Sequence, residues 1–275
     1  MTVGNAMLNR VLRKRFLSQP LARDVKNIVE AAARLHQCIW LDPSDIRTMY
    51  QDAAGTIPVT EVGQPVGLLI DKSGRGNHAY QTIDNAKPVI KRDQKNNTYL
   101  HFDGLDDFLV TNQVNFSSTD RVSVISGLRK IRDASVGIVC ELSVSAPTNI
   151  GAFYISAPRT NNVPSYQFCS RGSSVAIASS AASYPSPVSS IVSGIGDIGS
   201  DSCSLRVNGI NVSTSTVDQG AANYGNFNLY IGRRAGSTLP FNGHLYGLLV
   251  LGGVNDVSKV VKIERYIASK TGLNL

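Results

Sequence analysis

Glutamate is scarce in this chain of 275 residues: Glu30, Glu61, Glu141 and Glu264 are its whole complement. None has a second carboxylate two, four or five positions further on. Retaining glycosidases hold an acid and a nucleophile about 5–5.5 Å apart, and alternate strand residues can supply such a pair. No segment here does so. Tryptophan occurs once, at Trp40, so no rich aromatic platform is expected. Cys38, Cys140, Cys169 and Cys203 lie far apart without metal-finger spacing. Their strand-like surroundings predict buried free thiols and folding in a reducing cytoplasm. His36, His78, His101 and His244 form no zinc-type motif, and no Gly-x-Ser-x-Gly elbow exists. Ser193-Gly194-Ile195-Gly196 lacks the lysine and following helix of a phosphate loop. No apolar run reaches about 18 residues, which argues against a membrane-spanning helix. Met1–Ala6 lack the basic start and apolar run of a secretory leader, so none is expected. The chain is expected not to be an enzyme and to need no cofactor, and no metal ligands are assigned. Calcium is the one cation that its aspartate-rich turns bring to mind, and no EF-hand-like spacing supports it.

Charge is unevenly spread. Residues 1–37 hold seven basic residues against two acidic ones, a net of +5 out of the chain's +7. In the first half of that segment Met7, Leu8, Val11, Leu12 and Phe16 recur at helical spacing, with Arg13, Lys14 and Arg15 among them. Pro20 interrupts the pattern. From about 21 to 36, Val25, Ile28, Val29, Ala32 and Leu35 form a second stripe. Short helices cannot bury such stripes alone. The segment is therefore expected to be a helical arm, residues 1–37, that docks on a partner through Met7, Leu8, Val11, Leu12, Arg13, Lys14, Arg15, Phe16, Val25, Ile28 and Val29. A basic surface can also meet nucleic acid, but Arg13-Lys14-Arg15 is short and a protein partner is expected instead.

From Cys38 the pattern changes to period two with turn punctuation, which predicts one all-β domain over 38–275. Thr98–Phe102 alternates and ends at Asp103-Gly104, Ser135–Val144 reads as a central strand, and Cys203–Val207 runs into an Asn208-Gly209 hairpin turn. Residues 173–193 read as strands around a Pro185/Pro187 loop. Asp256 is placed to cap a last helix with Val257, Val260, Val261 and Ile267 as its buried stripe, and Gly272 to end it.

Three segments, in order, are characteristic: Trp40-Leu41-Asp42-Pro43-Ser44-Asp45, then Asp71-Lys72-Ser73-Gly74-Arg75-Gly76-Asn77-His78, then Phe102-Asp103-Gly104-Leu105-Asp106-Asp107-Phe108. A strand ending in Ile231-Gly232 and Phe241-Asn242-Gly243 before the last strand follow. Together they resemble the concanavalin A-like jelly roll, in the laminin G-like form found in bacteriophage and prophage virion proteins. The resemblance spans about 38–275. It implies a sandwich of two antiparallel sheets, with the helical arm before it and a short helix at its end. It further implies a structural or decoration protein of a head, collar, tail or fibre, assembled in the host cytoplasm, with homo-oligomeric symmetry and other virion proteins bound through residues 1–36. The alternative is a lectin-like adsorption module for a cell-surface glycan or receptor. Its candidate sugar contacts are Tyr224, Asn226, Tyr184 and Arg159, since a sugar face stacks on an exposed ring flanked by amide or guanidinium groups. A glucanase or depolymerase is not expected. The aspartates of the three segments are read as turn formers that bond their own backbone.

Overall fold

The computed structural model describes residues 20–275. Among these, seventeen strands make two antiparallel sheets. The first sheet runs β15 (Ile210–Ser215), β14 (Ser202–Val207), β13 (Val188–Asp197), β8 (Arg121–Lys130), β17 (Asn242–Gly252), β6 (Thr98–Asp103) and β5 (Val89–Arg92), with β1 (Cys38–Leu41) on the far half of β17. The second runs β12 (Val175–Ser179), β11 (Gln167–Arg171), β10 (Phe153–Ser156), β9 (Ile138–Leu142), β16 (Asn226–Ile231), β7 (Leu109–Asn115), β4 (Ala79–Tyr80), β3 (Leu68–Leu69) and β2 (Met49–Tyr50). Helix α1 covers residues 20–33 and α2 covers Val257–Thr271. The jelly-roll sandwich expected from the sequence is present.

The two sheets differ in what covers them, and the strand period shows why. Along β1, Ile39 and Leu41 point into the core between the sheets, while Cys38 and Trp40 point the other way. In β17, Leu248 and Val250 face inward and Leu249 and Leu251 outward; in β8, Val124 and Ile125 divide likewise. A strand buried on both faces is apolar at successive positions, which is what β1, β8 and β17 show. Their outer residues pack under α1 and α2 in a second core with Val25, Val29, Ala32, Val260, Ile263 and Ile267.

This overturns half of the expected docking arm. Val25 (0% exposed) and Val29 (1%) are buried in their own chain's core, and Ile28 is half-buried on it. The apolar stripe is real, but the outer face of the first sheet covers it, so these three residues are not a partner surface. Nor does position 37 separate an arm from a domain: α1 is a layer of the domain itself. Met7, Leu8, Val11, Leu12, Arg13, Lys14, Arg15 and Phe16 lie outside the described residues. Pro20 opens α1, where a proline's missing N–H costs nothing.

α2 has the expected caps. The Asp256 side chain accepts from Ser258 N–H, and Gly272 closes the helix at φ 72°. The expected stripe is partly wrong: Val257 is 49% exposed and Val261 half-buried, while Val260, Ile263, Tyr266, Ile267 and Ala268 face the sheet. The four cysteines are buried and unpaired, as expected.

The aspartates of the characteristic segments hold the layers together. Asp71 accepts from Trp40 N–H (2.8 Å), Ser73 N–H (2.9 Å) and Asn77 N–H (3.0 Å), tying the 71–78 turn to β1. Asp42 accepts from Lys72 Nζ (3.1 Å) and from the Tyr266 hydroxyl (2.9 Å) of α2. Burial pushes the Asp42 carboxyl up, but Lys270, Lys72 and Ser44 outweigh it and leave it below its ordinary value. The turn-forming role expected of these residues is therefore extended to one of joining β1 to the helical layer.

Candidate ligand-binding face

The four sequence-derived sugar contacts do not converge on one site. Tyr224 is 1% exposed; its ring packs edge-on against Phe153 and its hydroxyl bonds Ser170 Oγ (2.7 Å). It is a core residue and presents no ring to a ligand. Tyr224 lies just before β16, where its N–H bonds Thr119 O (2.9 Å) and its ring is drawn inward by packing on Phe153. Tyr184 is half-buried and packs on Tyr166 (centroids 5.0 Å apart). Arg159 is half-buried in a different loop, and Asn226 is exposed at the start of β16.

Other clusters are also closed. Both oxygens of Glu141 on β9 are taken, one by Ala146 N–H (2.6 Å) and one by Arg234 Nε (2.7 Å). Burial still pushes this carboxyl up. Glu264 of α2 pairs with Arg206 (2.9 and 3.0 Å) on the other side of the molecule. Asp103, Asp106 and Asp107 do come together, their carboxylate oxygens within 4.8 Å of one another. Each already has a protein partner: Leu105 N–H on Asp103, Asn85 on Asp106, and Asp103 N–H on Asp107. The turn uses these acids as hydrogen-bond acceptors. His101 and His244 sit on paired positions of β6 and β17, with His244 stacked on Tyr99 at 3.9 Å between centroids.

The second sheet carries a feature that the sequence reading missed. Among the described residues, no helix covers its outer face. Following the register from strand to strand gives one unbroken row: Ile177, Cys169, Tyr154, Glu141, Tyr230, Val110, Tyr80, Leu68, Tyr50. Inward neighbours confirm the side, since Leu69, Ala79, Leu109, Leu229 and Ile231 all lie in the central core. Tyrosines therefore stand on alternate strands β10, β16, β4 and β2. Neighbouring strands are about 4.8 Å apart, which sets these rings about 10 Å from one another.

The row is unevenly exposed: Ile177 at one end is exposed, Tyr154 is buried, and Tyr230, Val110, Tyr80, Leu68 and Tyr50 are half-buried. The Arg234 guanidinium lies over the Tyr154 ring at 5.4 Å. At the opposite end the turn at Gly55 leans on Leu68 and Tyr50, where an added Cβ would lie 3.0 Å from the Leu68 side chain. Burial raises the Tyr230 phenol, and nearby Tyr80 adds to the shift. Asn112 and Asn228 follow on one side, at the next outward positions of β7 and β16. The Tyr80 hydroxyl bonds Asn112 Oδ1 (3.3 Å), and Asn228 Nδ2 bonds Thr111 O (2.7 Å). An aromatic centre with amides beside it offers stacking and a few directed hydrogen bonds.

No family model matches the chain, and no curated protein sequence matches it. Solved structures share its fold. A GH54 α-L-arabinofuranosidase soaked with a cyclic sulfate inhibitor is 12% identical, with 90% of this chain and 65% of that one covered at a TM-score of 0.62. The binding domain of Paraclostridial Mosquitocidal Protein 1 is 11% identical, with 72% and 49% covered at 0.55. The Trypanosoma rangeli sialidase in complex with the inhibitor DANA is 13% identical, with 90% and 38% covered at 0.51. This chain thus spans less than two thirds of each of those proteins, and at these identities the likeness is one of fold: a sandwich of the concanavalin A-like kind.

Proposed function

We propose that this chain is a non-catalytic sugar-binding module that a larger assembly displays. The observation that carries the reading is the outward-pointing tyrosine row on the sheet that no helix covers among the described residues. A sandwich needs only one face of each sheet for its core, so an outer face lined with rings and amides is available for a ligand. The similar structures include an α-L-arabinofuranosidase, a sialidase and the binding domain of a mosquitocidal protein, which accords with sugar recognition on this architecture. The non-catalytic part of the proposal is supported by two of the glutamates: Glu141 and Glu264 are each paired with an arginine.

The test is a glycan array probed with the whole chain, alongside a Tyr80→Ala/Tyr230→Ala double variant. Reproducible binding that the double variant loses, with an unchanged melting temperature, supports the module. Binding lost instead on changing Asn226 or Arg159 alone would move the site to the loops. Turnover of any polysaccharide by the purified protein would overturn the non-catalytic assignment.

A second reading, a bacteriophage virion component, draws on the characteristic segments and on the basic, apolar-striped residues 1–17. Here those residues, rather than the buried α1, join the sandwich to a neighbouring subunit in a symmetric particle. Particles assembled with a chain lacking residues 1–19 should omit this protein. Normal incorporation of the shortened chain would end that reading.

A further inference from the structure

We infer that the ligand of the tyrosine row is an extended, uncharged oligosaccharide lying across the strands, along the line Tyr230, Val110, Tyr80 towards Tyr50. This rests on the sugar-binding reading above and specifies it. The row lies perpendicular to the strands, because each residue in it is the register partner of the next. Rings on alternate strands repeat about every 10 Å, comparable to the length of two linked pyranose rings. A chain of sugars crossing the sheet meets a phenol at every second residue. One following a strand would leave the aromatics after a single ring.

Charge selects among such chains. The outward positions of β2, β3, β4, β7 and β16 nearest the row are Tyr50, Leu68, Tyr80, Val110, Asn112, Asn228 and Tyr230, none of them ionised at neutral pH. Glu141, in the row beside Tyr230, is paired with Arg234 at 2.7 Å, and Asp52, in the turn by Tyr50, already accepts from Thr56 N–H (2.9 Å) and Ile57 N–H (2.8 Å). Nothing on these positions compensates the carboxylate or sulfate of an acidic glycan, and desolvating such a group against rings without a partner is costly. Hydroxyl groups can be met by Asn112 Nδ2 and Asn228 Oδ1, which take no partner among the described residues.

The experiment is titration calorimetry on the full chain with neutral gluco-, manno- and arabino-oligosaccharides, from disaccharide to hexasaccharide, and with polygalacturonate fragments of matching length. Affinity should rise with length for one neutral series and then level off. The acidic fragments should bind at least about tenfold more weakly. Tyr80→Ala and Tyr230→Ala should each lose about tenfold or more, while Tyr80→Phe and Tyr230→Phe keep most of the affinity, because the ring and not the hydroxyl does the stacking. The Phe variants also guard against a folding artefact. Sugar binding that is independent of chain length, or that favours the acidic fragments, overturns the extended neutral ligand and leaves the sugar-binding reading standing. Loss of all glycan binding, or capture of a protein that no oligosaccharide displaces and the Ala variants abolish, overturns both.

Discussion

At the scale of single residues, burial displaces the protonation of His244 and of Asp107, in opposite directions. His244 is pushed down to about 3 by burial, with His101, Arg129 and Lys91 adding to it and Asp93 opposing. The unfolded chain binds this proton from about pH 6.5 downward, whereas the folded chain resists it until about 3. Stability from this group is therefore complete above pH 6.5 and falls as the pH drops towards 3. His244→Phe keeps a ring stacked on Tyr99, so its melting temperature should decline less between pH 7 and 4 than that of the parent protein; equal slopes would refute the assignment. Asp107 shows the opposite sign. Burial, with Asp103 and Asp106 beside it, pushes its carboxyl up to about 7. The folded state holds that proton more tightly, so stability falls as the pH rises from about 4 to 7. Asp107→Asn keeps an oxygen for Asp103 N–H and should stabilise the protein at pH 8 relative to its effect at pH 5, as read by thermal melts.

Among the elements, α2 is joined to the β14–β15 hairpin by Arg206 and Glu264, both buried, with Arg206 also donating to Gly209 O (2.5 Å). Removing one partner of a buried pair leaves an uncompensated charge. Glu264→Ala should therefore cost about 3–5 kcal/mol by denaturant unfolding. A loss below about 1 kcal/mol would mean that water reaches the pair and screens it. α1 provides a sharper contrast. Removing residues 1–36 strips Val25, Val29, Ala32 and Ala33 from the outer core that they share with Ile125, Leu249, Leu251 and Val254. That deletion should yield aggregating or poorly folded protein, whereas removal of residues 1–19 should leave a soluble domain with a near-parental melt. Equal behaviour of the two deletions would show that α1 contributes little.

For the whole molecule, β8 and β17 belong to both cores, one residue facing the sandwich and the next facing the helices. The two layers therefore cannot come apart independently. Trp40 reports on the outer core, where its ring meets Tyr266 edge-on at 5.8 Å, while far-ultraviolet circular dichroism reports mainly on the sheets. The two signals should give one coincident transition. An earlier transition in tryptophan fluorescence would show that the helical layer peels off first.

Much of this was legible in the sequence, and what was not has a common cause. Period-two alternation, Asn-Gly and Asp-Gly turns and the helix caps are local, set by residues a few positions apart, so the sandwich, the Asn208-Gly209 hairpin and α2 could be read directly. The stripe of α1 was equally plain. Its partner was not, because β1, β8 and β17 are apolar at successive positions, and such a run does not say what lies on its second face. The same limit misplaced Tyr224: a tyrosine among asparagines and glycines reads as an exposed ring, and only the packing on Phe153 turns it inward. The tyrosine row is the extreme case. Tyr50, Tyr80, Tyr154 and Tyr230 are separated by tens of residues and fall on strands β2, β4, β10 and β16, which become ordered neighbours only through the sheet's strand order and register. The sequence by itself determined which segments are strands, where they turn and which faces are apolar. Tertiary structure alone decided which apolar face meets which and which side chains share a line, because strand order and register are settled by the packing of all the strands at once.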